Sequence, residues 1–173
     1  GGIDSRKGID FLIQAVRQIQ IDEPDFQLLV AGAGSEVELV RIAQTNGLAM
    51  TYLGPLEGTE KALALAACDF LLIPQWVGLV ATDALAAGRP VVTTDHYTHA
   101  PEFSYLHEGT TRLTSEHEVK AYANLVVKLI RDPDRLQSMQ THCFQDGANL
   151  SIESMGANFV GGIIDWAERD LPA

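Results

Sequence analysis

The sequence predicts an α/β domain: a Rossmann-like parallel sheet with helices on both faces, followed by a helical C-terminal segment. Three observations lead there. Short apolar runs, too brief to be helices, recur at 26–30, 51–54, 69–73 and 90–94. Between them lie stretches whose apolar residues fall at three- and four-residue spacing. From residue 115 onward that helical spacing is the only pattern left. Strands that are apolar without alternation are buried on both sides, and when they alternate with helices they form a parallel sheet covered on both faces.

The elements follow in order. Ile9, Leu12, Ile13, Val16 and Ile19 make one face of a helix over 8–20, broken by Asp22-Glu23-Pro24-Asp25. Residues 26–30 read as a buried strand that turns at Gly32-Ala33-Gly34-Ser35 into a helix over 36–45. A shorter strand at 51–54 ends in Gly54-Pro55, and the Ala- and Leu-rich stretch 57–67 is helical. The strand 69–73 stops at Pro74, and an Ala-rich helix over 78–87 stops at Gly88. Another buried strand at 90–94 leads to a polar loop, a short helix near 101–106 and a last edge strand at 112–114. Val119, Tyr122, Ala123, Val126, Val127 and Ile130 then share one helical face, a helix runs from Asp132-Pro133 through Met139, and Ile152, Met155, Phe159, Ile163 and Trp166 share another. Phe159 and Trp166 belong to a core or an interface, and Gly161-Gly162 inside the last helix suggests close packing or a bend.

The chain has 173 residues, of which 46% are apolar and 20% charged, enough for one domain with a real core and no need of disulfides or a structural metal. Twelve Lys and Arg against 23 Asp and Glu give a net charge of −11, and no basic block occurs, which argues against nucleic acid and anionic membranes as partners. A small anion is still allowed, because a few local cations and backbone N–H groups can hold a phosphate against an unfavourable overall field. Cys68 and Cys143 lack any C-x-x-C partner and read as reduced thiols. No apolar run reaches membrane-spanning length, so a cytoplasmic protein without a transmembrane segment is expected. The opening Gly1-Gly2 reads as the interior of a longer chain or a trimmed one.

In a parallel sheet, ligands sit beyond the carboxyl ends of the strands, so the loops after Val30, Leu53, Ile73 and Thr94 are where function should lie. Gly32-Ala33-Gly34 invites a dinucleotide site, but the third glycine of that fingerprint would fall on Val37, and the acidic residue some 20 positions on is missing. Neither a P-loop nor a G-x-S-x-G nucleophile elbow occurs. No acidic pair follows a first strand, as a phosphoacceptor receiver domain would require.

The strongest signal is the run from Pro74 through Gly78 and Asp83 to Gly88-Arg89-Pro90-Val91-Val92. A glycine at the start of a helix lets a phosphate approach the free N–H groups of Gly78, Leu79 and Val80. Asp83, one turn past Leu79, lies on the same face, where a carboxylate can accept two ribose hydroxyls. Plain strand-loop-helix packing with a solvated Asp83 accounts for the spacing equally well. His96 and His99 lie on the ligand edge without a third metal ligand, so no metal is expected. His107, His117 and His142 read as surface residues, and Trp76 as a loop anchor or a sugar-stacking ring.

With Lys7-Gly8 near the start and His99-Ala100-Pro101-Glu102 after the next strand, this block resembles the C-terminal, donor-binding domain of group 1 glycosyltransferases of GT-B fold. Tyr52-Leu53-Gly54, Ala67-Cys68-Asp69 and the terminal helices extend the likeness over nearly the whole chain. The resemblance implies that the chain is one half of a retaining, metal-independent enzyme whose donor substrate is a nucleotide-diphosphate sugar. It implies that Lys7 and the backbone of Gly78, Leu79 and Val80 hold the diphosphate, and that Leu53 borders the base. Asp83 stands where the family usually has a ribose-binding glutamate, and Gln75 where it often has a glutamate that contacts the transferred sugar. The arginine that the family often pairs with its lysine would fall on Gly1 or Gly2 and is missing. The N-terminal acceptor domain and a central strand before Gly1 are expected to lie outside these 173 residues. The missing arginine and the departures at 75 and 83 favour an alternative, a non-catalytic degenerate donor domain used for nucleotide binding or assembly, and the sequence also allows a homo-oligomer in which two copies complete each other's sheet.

Overall fold

The computed structural model describes residues 1–170. The elements run α1 (Ile9–Asp22), β1 (Leu28–Ala31), α2 (Val37–Thr45), β2 (Met50–Gly54), α3 (Gly58–Ala66), β3 (Leu71–Leu72), α4 (Val80–Ala86), β4 (Val91–Thr94), β5 (Arg112–Ser115), α5 (Val119–Ile130), α6 (Pro133–Gly147) and α7 (Ile152–Asp170). All strand pairs are parallel, as the apolar runs required. Pairing, however, falls into two pieces, β1 beside β2 and β3-β4-β5 with β4 in the middle. Between β1 and β3 lies a trench of about 630 Å³, flanked by Leu29 and Ala31 on one side and Leu71 and Ile73 on the other, and lined also by Leu12 of α1 and Leu65 of α3. Among the described residues no backbone hydrogen bond crosses it. Residues 1–3 run parallel to the end of β1, with the Ile3 N–H donating to Ala33 O at 2.9 Å.

β4 is buried along its whole length because adjacent residues of a strand face opposite sides and both sides are covered. Val92 points with Leu72 and Leu113 into the larger core, against α1 and α5. Val91 points into a second core with Val77, Ala81, Leu85 and Cys143, against α4 and α6. In the first core the Tyr122 hydroxyl donates to Val92 O at 2.9 Å, which satisfies a phenol that is wholly buried.

Four features differ from the sequence expectation. Helix α4 begins at Val80, leaving Gly78 and Leu79 in the preceding loop, because the first hydrogen bond of the turn is the Ala81 N–H to Gly78 O. Helix α6 continues past Met139 to Gly147, where a Cβ would lie 2.5 Å from Leu85 O, so glycine lets α6 approach the α4 backbone. On α7, Phe159 and Trp166 are 71% and 66% exposed and therefore not core. Gly161 and Gly162 have no close neighbour, so the expected tight packing there is not met. Cys68 and Cys143 are free thiols, and burial pushes Cys143 up to about 12, an inert core group.

Candidate functional site

The carboxyl ends of β1 and β3 meet the trench at Ala31 and at Ile73-Pro74, and Lys7 lines it with them. Lys7 and Gly8 enter it through a 3₁₀ turn over Ser5–Lys7, whose N-cap Asp4 accepts the Arg6 N–H. Gly8 closes that turn at φ +65, a left-handed conformation that glycine adopts without steric cost. A Cβ there would also fall 2.9 Å from Cδ of Gln75. The Lys-Gly pair thus places an ammonium at the loop after β3 and leaves room for the Gln75 side chain beside it.

The Lys7 Nζ donates to Trp76 O at 2.6 Å. The ammonium is half-buried, and desolvation lowers its pKa from the usual lysine value, with Asp4 opposing that shift. Trp76 itself has φ +51, a left-handed conformation that costs a bulky residue on the order of 1 kcal/mol or more. Its carbonyl is held by Lys7, and its ring lies under the Arg6 guanidinium at 5.2 Å. Trp76 is therefore a loop anchor, while part of its ring stays accessible. Arg6, which sequence reasoning passed over, brings a second cation to this loop, paired with Asp4 at 2.9 Å. Its position immediately before Lys7 was the available signal.

Beyond Trp76 the N–H groups of Gly78, Leu79 and Val80 meet no acceptor among the described residues. Because α4 has seven residues and Gly78 lies two before it, these donors are loop and first-turn amides rather than the end of a long dipole. Leu79 is 71% exposed, whereas Gly78 is buried under Ala100. Asp83 lies one turn further and is engaged by Lys61 Nζ at 2.8 Å across from α3. Leu53, exposed at the end of β2, lines the same opening with Lys7, Lys61, Val80 and Asp83. Lys61 was not anticipated, since its link to Asp83 spans 22 residues.

His99 fixes the loop from behind. Its Nδ1 accepts the Val77 N–H at 3.2 Å, and its Nε2 lies 2.9 Å from Thr94 O. A carbonyl only accepts, so Nε2 carries the proton and the ring is neutral. Burial lowers its pKa below the ordinary 6.5, partly offset by the Thr94 carbonyl. A depressed histidine pKa gives stability that is complete above the unfolded value and is lost as pH falls through the folded one. Thermal midpoints should accordingly be level above about pH 7 and decline below about pH 6.5. His99→Gln should flatten that decline; an equally steep decline in the variant would exclude His99 as its source.

His117, expected at the surface, is solvent-exposed on one edge yet joins this cluster. It stacks on Phe11 at 4.5 Å and contacts Thr94 Oγ1 at 3.0 Å and Gln75 Nε2 at 3.2 Å. His96 packs edge-on against it at 4.6 Å. Among the described residues no group of three His, Cys, Asp or Glu is gathered so as to hold a metal ion.

Of the residues singled out in the sequence, Lys7, Leu53, Val80 and Asp83 line one opening together with Lys61, while Gln75, Gly78 and Leu79 lie on the adjoining loop after β3, which His99 and His117 contact. The family described as "Glycosyl transferases group 1" matches residues 1–132. A GDP-mannose-dependent monoacylated alpha-(1-6)-phosphatidylinositol monomannoside mannosyltransferase of Corynebacterium glutamicum is 32% identical over 145 residues, covering 78% of this chain and 37% of that protein. A D-inositol 3-phosphate glycosyltransferase of Stackebrandtia nassauensis is 27% identical over 184 residues, 98% of this chain and 41% of that one. The chain therefore spans about two fifths of the length of these relatives. Among solved structures, Anabaena HepE in complex with UDP superposes with a TM-score of 0.78 at 18% identity, over 95% of this chain and 47% of that one. The catalytic domain of cholesterol-alpha-glucosyltransferase from Helicobacter pylori gives 0.73 at 17% identity, over 87% and 95%. At such identities these two establish the fold alone.

Proposed function

Because this chain belongs to the group 1 glycosyl transferases, we propose that it is the donor-binding half of an enzyme that moves a sugar from a nucleotide-diphosphate sugar to an acceptor. The observation that carries this reading is an opening lined by Lys7, Val80 and the Asp83 carboxylate, beside a loop whose Gly78, Leu79 and Val80 amides meet no acceptor among the described residues. Amides and a cation suit a diphosphate, and a carboxylate suits vicinal ribose hydroxyls. Leu53 offers an apolar edge to the base, and Gln75 faces the transferred sugar. Reaction builds negative charge on the departing diphosphate, and Lys7, partly withdrawn from water, opposes that charge where its field is least screened.

On this reading transfer retains anomeric configuration and needs no metal, so chelation by EDTA leaves turnover unchanged. The acceptor site belongs to a separate N-terminal domain, in keeping with the share of its relatives that the chain covers. The chain by itself should bind donor and transfer nothing.

Lys61 already engages Asp83, so a ribose must share or displace that ion pair, and this observation favours the alternative of a non-catalytic module. Calorimetric titration with GDP-mannose, UDP-glucose and ADP-glucose separates the two readings. Binding of one of them, weakened about tenfold or more by Asp83→Ala, is the expected result, since hydrogen bonds to a charged group are each worth roughly 1.5–3 kcal/mol. Absence of heat with all three favours the module.

A further inference from the structure

The polar contacts of His117 determine its protonation. Thr94 Oγ1 has one proton and lies 2.7 Å from Pro74 O, which can only accept. The hydroxyl proton is committed there, and Thr94 Oγ1 also accepts the His96 N–H at 3.3 Å. The His117 Nδ1, 3.0 Å from the same oxygen, must therefore donate. In a neutral ring this leaves Nε2 bare, and its neighbour at 3.2 Å is the Gln75 amide nitrogen, a donor. The protons run in one direction, from Gln75 to His117 to Thr94 to Pro74. The ring is held besides by the Phe11 stack at an interplanar angle of 11°, and the His117 backbone N–H donates to Asp95 Oδ1 at 2.8 Å. Meanwhile Gln75 Oε1 has no hydrogen-bond partner among the described residues, while its side chain lies over Gly8 next to Lys7.

We propose that His117 is a specificity-determining positioning residue: as the neutral Nδ1–H tautomer it fixes the Gln75 amide so that an oxygen acceptor, not an NH₂ donor, faces a hydroxyl of the donor's sugar. This rests on the reading that Gln75 faces the transferred sugar. A glutamine can present either end, and the two differ in which sugar hydroxyl arrangement they satisfy. His117 supplies the choice that a carboxylate would not need. Protonated, its Nε2 becomes a donor, and Gln75 must invert. The groups that face the ring are the Phe11 side chain from α1, Gln75 from the loop after β3, and His96 and the Asp95 carboxylate from the loop after β4, with Glu116 and Glu118 flanking it in sequence. Burial first, and His96 after it, lower the ring's pKa below the ordinary histidine value, with Asp95 opposing them.

Two measurements test this. In the ligand-free chain, imidazole ¹⁵N shifts at pH 8 should report the Nδ1–H tautomer for His117; an Nε2–H tautomer or an even mixture overturns the proposal whatever the ligand. The second measurement is the ratio of Kd for GDP to that for GDP-mannose, and of UDP to UDP-glucose. His117→Ala should lower the ratio for the bound donor about fivefold, the worth of one neutral hydrogen bond, and leave the bare nucleotide within about twofold. His117→Gln, whose amide oxygen accepts at any pH, should restore the ratio and remove its pH dependence. In a Gln75→Glu background His117→Ala should leave the ratio unchanged at pH 8. Equal weakening of nucleotide and nucleotide-sugar overturns the proposal by marking His117 as merely structural. Failure of the unmodified chain to bind any of the four ligands overturns the donor reading and the specificity role with it, while the tautomer measurement still decides the His117–Gln75 contact.

Discussion

Lys7→Ala in the full-length polypeptide should lower turnover on the order of 100- to 1000-fold, the scale at which a single preorganised electrostatic donor acts on developing charge. The side chain reaches the loop that carries the amides of residues 78–80, and its ammonium is partly desolvated, so its effect on a growing negative charge is large. Charge on the leaving diphosphate increases toward the transition state, and the loss should fall mainly on kcat rather than on KM. Lys7→Met retains the aliphatic stem and removes only the charge, and it should match alanine within a few-fold. Steady-state kinetics of the three proteins settle the matter, and turnover unchanged in both variants would remove Lys7 from the mechanism.

The second large effect concerns the fold. In Gly34→Ala the new Cβ would fall 2.1 Å from Ile3 O, a backbone atom that cannot swing aside. Ile3 is 2% exposed and its N–H is bonded to Ala33, so relief requires moving the whole N-terminal segment off β1. Overpacking of this kind costs roughly 1–3 kcal/mol, which for a domain of this size lowers Tm by about 3–10 °C. Gly156→Ala is the control: nothing lies within 4 Å of it on α7, and helix propensity alone should hold or slightly raise Tm. Equal melting of the two variants would contradict the close approach at Gly34.

Much of this arrangement was legible in the residues. The unbroken apolar runs at Val91-Val92 and Leu71-Leu72 announced strands buried on both faces, and α1 and α5 follow the stripes that begin at Ile9 and Val119. The Gly32-Ala33-Gly34 sequence reads as a tight strand-to-helix turn, and its second glycine has a tertiary cause, the approach of Ile3, that no local pattern carries. Helix α4 begins late because Leu79, and not Gly78, caps it. At the site, Lys7 and Asp83 could be found because each sits at a recognisable offset from a glycine or a strand end. His117 and Lys61 could not: their partners lie 42 and 22 residues away, and only the closed fold brings them together. Phe159 and Trp166 share a helical face that the described residues leave uncovered, since periodicity records which face is apolar and not what meets it.

The trench between β1 and β3 bears on how the molecule opens. With no amide-to-carbonyl bond spanning it among the described residues, the half with β2 and the half with β5 are coupled through side chains, chiefly where α1 lies on α5. Deuterium uptake should therefore divide the domain into two cooperative blocks, the one built on β4 slower than the one built on β1.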